Sequence, residues 1–134
     1  MYLLDTNVVS EFRRPRPHGA VLAWLSAVDD ADLSISAVTL GEIQAGIELT
    51  REQDADKAAS IEFWADQVAD TYNVLPMTAE VFRLWAKLMH KQSDTVTEDA
   101  MIAATAITNK LTVVTRNVTD FERFGIKILN PFVN

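Results

Sequence analysis

The residues with chemical potential in this chain are carboxylates that recur at one kind of place. Asp5 directly follows the apolar run Tyr2-Leu3-Leu4, Glu42 comes soon after Leu33-Ser-Ile-Ser36, and Asp99 opens the segment Glu98–Ile107. Asn117 and Asp120 follow the apolar run 111–115. Each has a sufficient local explanation. Asp at a helix N-cap stabilises by roughly 1 kcal/mol. Thr39-Leu-Gly-Glu42 matches a capping box, with the glutamate in the first turn of its helix. Acids such as Glu98 and Asp99 in a first turn gain about 0.3–1 kcal/mol from the helix dipole. If the fold gathers these groups, however, capping does not explain why acids mark nearly every turn on one edge. Carboxylates without counter-charge repel, whereas Mg2+ or Mn2+ prefers such oxygen ligands and keeps water for chemistry.

The positioning elements follow from hydrophobic periodicity. Short apolar runs at Tyr2–Leu4, Leu33–Ser36, 73–75, 111–115 and 126–130 predict strands, the last stopped by Pro131. Between them lie helical stripes. Thr6 to about Arg13 predicts a short helix, and Val21, Trp24, Leu25 and Val28 follow the amphipathic spacing. Leu40, Ile43 and Ile47 form a further stripe. Ala58, Ile61, Ala65, Val68 and Tyr72 line one face of the longest helix, with Phe63 and Trp64 off it. Thr78 caps a helix bearing Val81, Leu84, Trp85 and Leu88, widened by Phe82 and Met89. Ala100, Ala103, Ala104 and Ala106 allow close approach to the sheet, and Gly125 ends a short last helix. This alternation predicts a three-layer α/β/α fold with a mostly parallel central sheet, in one domain over residues 1–134. Right-handed crossovers place every helix N-terminus at the carboxyl edge of such a sheet. Asp5, Glu42, Asp99 and the Asn117–Asp120 pair then share that edge, and topology favours a metal site.

Composition narrows the functional classes. Twelve Lys and Arg against nineteen Asp and Glu leave a formal charge of −7, which argues against a broadly basic nucleic-acid surface. Phosphate contacts must be local. The loop Arg13-Arg-Pro-Arg-Pro17 reads as a solvated basic connection, with phosphate contact as the alternative. No cysteine is present, which excludes disulfides, thiolate zinc sites and cysteine nucleophiles. No run reaches the roughly 18 apolar residues of a membrane span, and no signal segment is evident, so a cytoplasmic location without membrane contact is expected. His18 and His90 are isolated, and no serine–histidine–acid arrangement stands out. Trp24, Trp64 and Trp85 lie among aliphatic partners and read as core or interface. A phosphate-binding loop is excluded by the missing glycine-rich lysine motif. A phosphoacceptor receiver domain lacks its acidic pair and central aspartate, with only Lys110 roughly placed.

Four blocks carry a family resemblance: Leu3-Leu-Asp-Thr-Asn-Val-Val-Ser-Glu11, the Glu42 helix, Asp99-Ala-Met-Ile-Ala-Ala-Thr-Ala106 and Val114-Thr-Arg-Asn-Val-Thr-Asp-Phe121. In order, spacing and total length the chain resembles PIN domains, specifically toxins of the VapC and FitB type. The resemblance implies a metal-dependent endoribonuclease, cytoplasmic and homodimeric, using Mg2+ or Mn2+ to hydrolyse RNA. It also implies a cognate antitoxin that blocks the site and joins the toxin on promoter DNA. Asp5, Glu42 and Asp99 carry over as catalytic metal ligands, with Asn117 or Asp120 at the fourth position, where many PIN domains have aspartate. Thr6 and Thr115 would orient carboxylates, and Arg116 would hold substrate phosphate. A catalytically silent PIN-like module acting through antitoxin and promoter DNA is the alternative.

Overall fold

The computed structural model describes residues 1–133. The elements are β1 (Tyr2–Leu4), α1 (Thr6–Val9), α2 (Gly19–Ser26), β2 (Leu33–Ser36), α3 (Ala37–Arg51), α4 (Ala55–Thr71), β3 (Asn73–Leu75), α5 (Ala79–Met89), α6 (Thr97–Asn109), β4 (Thr112–Val114), α7 (Val118–Glu122) and β5 (Ile128–Leu129). The strands form one sheet in the order β3-β2-β1-β4-β5, and every pairing is parallel. The expected α/β class is therefore observed, with an all-parallel sheet.

Alternation along each strand divides the core. Leu3 and Val113, paired in register, face a cluster with Ala100, Ile102, Ala103, Ala106, Phe121 and Phe124 from α6 and the α7 region. The neighbouring register, Leu4, Ile35 and Val114, faces the opposite layer with Val8, Val9, Val21 and Val68. Small side chains let α6 lie close to the sheet: Ala100, Ala103, Ala104 and Ala106 are all fully buried. A smaller cluster of Ile47, Ala58 and Ala65 joins α3 to α4.

This strand order has a consequence for function. From β1 the chain adds β2 and then β3 on one side, then crosses to β4 on the other, so the connections diverge at the carboxyl ends of β1 and β4. Open parallel sheets bind ligands in the crevice created there. Asp5 N–H donates to Val114 O at 2.9 Å, which keeps the end of β1 level with the end of β4, and Thr115 N–H donates to Leu129 O at 2.9 Å, which continues the β4–β5 pairing.

Local structure departs from the sequence expectation in three places. The segment after β1 is α-helical only over Thr6–Val9 and continues as a 3-10 turn over Ser10–Arg13. The N-cap of α3 is Ser36, whose hydroxyl accepts from Val38 N–H at 3.1 Å, so the expected capping box at Thr39 and Glu42 is not formed. The nearer hydroxyl starts the helix early and carries Glu42 into the second turn. Trp64 is not off the packed face of α4; it touches both the β-sheet cluster and the α3–α4 cluster, because α3 gives α4 a second apolar neighbour. Phe63 is exposed as expected. Among the described residues, no helix is long and apolar enough to cross a membrane.

Candidate active site

Asp5 lies at the centre of the carboxyl edge and is almost fully buried. As N-cap of α1 its Oδ1 accepts from Thr6 N–H at 2.8 Å. Its Oδ2 accepts from the Thr115 hydroxyl at 2.8 Å and from Asn7 Nδ2 at 3.2 Å. Capping thus engages Oδ1 alone, and Oδ2 is turned toward the end of β4. Thr115 is fully buried, and its Oγ1 also accepts from Asn117 N–H at 2.9 Å.

Glu42 stands across the crevice at the exposed rim. Thr6 Oγ1 donates to Glu42 Oε1 at 3.0 Å and lies 3.2 Å from Thr39 Oγ1, so α1 and α3 are joined beside the acid. Asp99, in the first turn of α6, approaches from the third side.

The acids lie close enough to act on one another electrostatically. Burial is the largest influence raising the Asp5 carboxyl, opposed by the Thr115 and Thr6 hydrogen bonds and reinforced by the charge of Asp120. Glu42 is raised by partial desolvation, against the Thr6 hydrogen bond, and further by Asp5 and Glu98. Asp99 is pushed up to about 6, first by burial, then by the charges of Asp5, Asp120, Glu42 and Glu98. Among the described residues, no cation figures in the influences on these three carboxyls. Among the described residues, no three acidic or histidine side chains already stand at the spacing of a metal cage. The donor set nevertheless fits a hard divalent cation, being oxygen-only and short of positive charge; closing around one requires side-chain rotation.

At the fourth locus Asn117 is exposed and is the N-cap of α7 without a side-chain capping bond, whereas Asp120 bears electrostatically on both Asp5 and Asp99. Arg116 points elsewhere. Its guanidinium lies 3.9 Å from the centre of the Phe132 ring, and its charge acts on Glu11 rather than on the central acids. Arg13 lies over Trp64 at 5.7 Å and, with Thr6, Ser10 and Glu42, lines a cavity of about 260 Å³ beside the acids. Arg14 Nη1 donates to the buried Glu11 at 2.8 Å.

The model of the PIN domain family matches residues 2–127. The chain belongs to the PIN-domain family. Over nearly its whole length this PIN domain is similar to the VapC ribonuclease Y4jK of Sinorhizobium fredii, at 36% identity covering 98% of each chain. It is also 31% identical to the toxin FitB of Neisseria gonorrhoeae, covering 98% of this chain and 99% of that one. Among solved structures, FitAB bound to the IR36 DNA fragment superposes with a TM-score of 0.86 at 30% identity, covering 100% of this chain and 97% of that chain.

Sequence reasoning passed over Asn7 and Glu11 as site residues and read Thr39 only as a helix cap. Asn7 and Thr39 carried one available signal: each lies two or three residues into a helix that starts at the carboxyl edge. Their partners are distant in sequence and became visible only with the strand order.

Proposed function

We propose that this PIN domain is a Mg2+- or Mn2+-dependent endoribonuclease and the toxin of a toxin–antitoxin pair. The observation that carries the reading is the convergence of Asp5, Glu42, Asp99 and Asp120 at the β1/β4 crevice, where each of the first three is held above its ordinary pKa partly by the others' charge. The ribonuclease and toxin relatives support the substrate class and biological role.

In this reading Asp5 and Asp99 hold the cation, with Glu42 reaching it directly or through water. Such an ion, when bound, lowers the pKa of a water and neutralises charge that develops on the phosphate. The protein's part is to aim the ligands. Thr115, Thr6 and Asn7 fix Asp5, and the Thr6 hydroxyl holds Glu42. Asp120 supplies the fourth negative charge, and Asn117 is exposed. Arg13 lines the cavity next to Glu42, where a substrate phosphate would pass; Arg116, directed to Phe132, suits a phosphate farther from the reacting one.

The proposal extends to partners and location. The antitoxin covers the crevice, the toxin reaches promoter DNA only through it, and the complex works in the cytoplasm. A protein–DNA complex of FitAB among the structural neighbours supports this arrangement. A homodimer is supported by large apolar side chains left in solvent, Phe63, Leu49 and Phe82.

The test is cleavage of single-stranded RNA by purified protein free of antitoxin. Wild-type protein cleaves with Mg2+ or Mn2+ and not with chelator, while Asp5→Asn, Glu42→Gln and Asp99→Asn are inactive and folded. Asp120→Asn loses more metal-induced thermal stabilisation than Asn117→Ala. Three site variants as active as wild type would refute the site, and a folded wild type with no cleavage under any metal would leave the silent binding module as the better reading.

A further inference from the structure

Asn7 makes three cross-connections at the carboxyl edge, and the reading above gives it only one of them. It lies in α1 two residues beyond Asp5 and is half-buried. Its Nδ2 donates to Asp5 Oδ2 and to Thr115 Oγ1, both at 3.2 Å, while its Oδ1 accepts from Arg116 N–H at 3.2 Å. Only this orientation of the amide is chemically consistent. Reversed, it would set a carbonyl oxygen against the Asp5 carboxylate and an NH2 against the Arg116 N–H.

We propose that Asn7 is a positioning residue that clamps the end of β1 to the end of β4, aiming Asp5 at the cation and holding the turn of residues 115–117 in place. Three features of the geometry point this way. First, Asp5 and Thr115 follow strands adjacent in space and distant in sequence, and Asn7 adds to their direct hydrogen bond contacts with both of them and with the Arg116 N–H. Second, Asp5 accepts three hydrogen bonds, from Thr6 N–H, Thr115 Oγ1 and Asn7 Nδ2. A carboxylate has about four lone-pair positions, so these donors leave it little freedom of direction. Third, the amide carries its donor and its acceptor on separate atoms, so one short side chain bonds the Asp5–Thr115 pair through Nδ2 and the Arg116 N–H through Oδ1. Second-layer partners of this kind orient metal ligands, and their loss typically costs about 10–100-fold in metal affinity.

This inference rests on the proposed cation site, and the experiment separates the two. Calorimetric titration of metal-free protein with Mn2+ is carried out on wild type, Asn7→Ala and Asn7→Leu, the leucine keeping the volume and removing both polar functions. Melting temperature is recorded with and without the metal. A positioning role predicts that both variants bind Mn2+ about tenfold or more weakly and lose much of the metal-induced rise in melting temperature. A merely structural role predicts a lower melting temperature without metal and an unchanged metal-induced rise; that result, or binding within twofold of wild type in either variant, overturns the inference. Absence of Mn2+ binding by wild type removes the cation site itself and the inference with it. Should both variants fail to fold, wild-type protein decides by NMR. On titration with Mg2+ the side-chain amide resonances of Asn7 shift while those of Asn73, at the start of β3, stay in place; Asn7 resonances that do not move while the Asp5 backbone amide does would overturn the clamp.

Discussion

Replacing Asp99 by asparagine should stabilise the metal-free protein at neutral pH, although it removes a first-turn acid from α6. The folded-state pKa is about 6 against an ordinary value of 3.8. The shift of about 2 units corresponds to about 3 kcal/mol at 1.36 kcal/mol per unit, as an upper bound. Partial exposure of the carboxylate and solvent screening reduce this. Loss of the favourable dipole interaction removes a further 0.3–1 kcal/mol or so. A net gain of about 1 kcal/mol remains.

The sign of the pH dependence is specific. Below about pH 3.8 the group is protonated in both folded and unfolded chains, and burial of the carboxyl carries no charge penalty. Between about 3.8 and 6 the unfolded chain releases its proton first, so the native state binds more protons and stability falls as pH rises. Above about 6 the penalty is constant. Urea unfolding in chelator should therefore show Asp99→Asn more stable than wild type at pH 7, with the difference closing or reversing near pH 4. Saturating Mn2+ should invert the order, since binding at one hundred times Kd contributes about 2.7 kcal/mol to a protein that retains its ligand. A variant less stable than wild type at pH 7 in chelator, or a difference independent of pH, would refute the argument that mutual repulsion dominates at Asp99.

Two further outcomes test other parts of the fold. Glu11 is buried; burial raises its carboxyl, but the His18 N–H, the Arg14 hydrogen bond and the charges of Arg14 and Arg116 outweigh this and hold it below its ordinary range. Glu11→Gln should therefore cost about 1–3 kcal/mol at pH 7, with the cost shrinking as pH falls through the native pKa, as urea midpoints from pH 7 to pH 3 will measure. Lys110 closes α6 in the left-handed region at φ 57 and ψ 47, a conformation glycine adopts without steric cost. Lys110→Gly should raise stability by about 0.5–1 kcal/mol in thermal unfolding, and a loss would mean that the lysine side chain contributes contacts beyond its backbone role.

The fold was legible because its strands are short, apolar and punctuated, and because strict alternation of strand and helix leaves few parallel topologies. Tyr2–Leu4 could be read as a doubly buried strand from its composition alone, and it is the centre of the sheet. The acids at helix starts were legible for the same reason. What failed did so where a local signal competed with a nearby one or with tertiary packing. Ser36 took the cap that Thr39 was expected to form, one turn earlier, because strand β2 ends at the serine. The short helix after Asp5 tightened into a 3-10 turn at Ser10, where the buried Glu11 draws in both Arg14 and the His18 backbone. Trp64 seemed surplus on a single helical stripe, but a helix packed against both a sheet layer and a neighbouring helix has two apolar sides. Polar pairs separated by a hundred residues, such as Asn7 with Thr115, have no periodic signature at all.

The hydrogen bonds around Asp5 bear on how such a site can exist before a cation arrives. A buried carboxylate near other carboxylates is costly to ionise, and burial raises the Asp5 carboxyl accordingly. The donors from Thr6, Asn7 and Thr115 all belong to groups that would themselves be poorly satisfied at the ends of strands β1 and β4, so the bonds that hold the acid also close the sheet edge. Among the described residues Asp99 has no such set of donors, and burial with the charges of Asp5, Asp120, Glu42 and Glu98 pushes it up to about 6. The site is therefore asymmetric: Asp5 is fixed by the fold in its metal-free state, whereas Asp99 and Glu42 remain the groups whose repulsion a cation would relieve. This division of labour explains why Asp5 sits at the end of the central strand, beside backbone and hydroxyl donors, and why the remaining acids enter from helices whose first two turns can rotate side chains without disturbing the sheet.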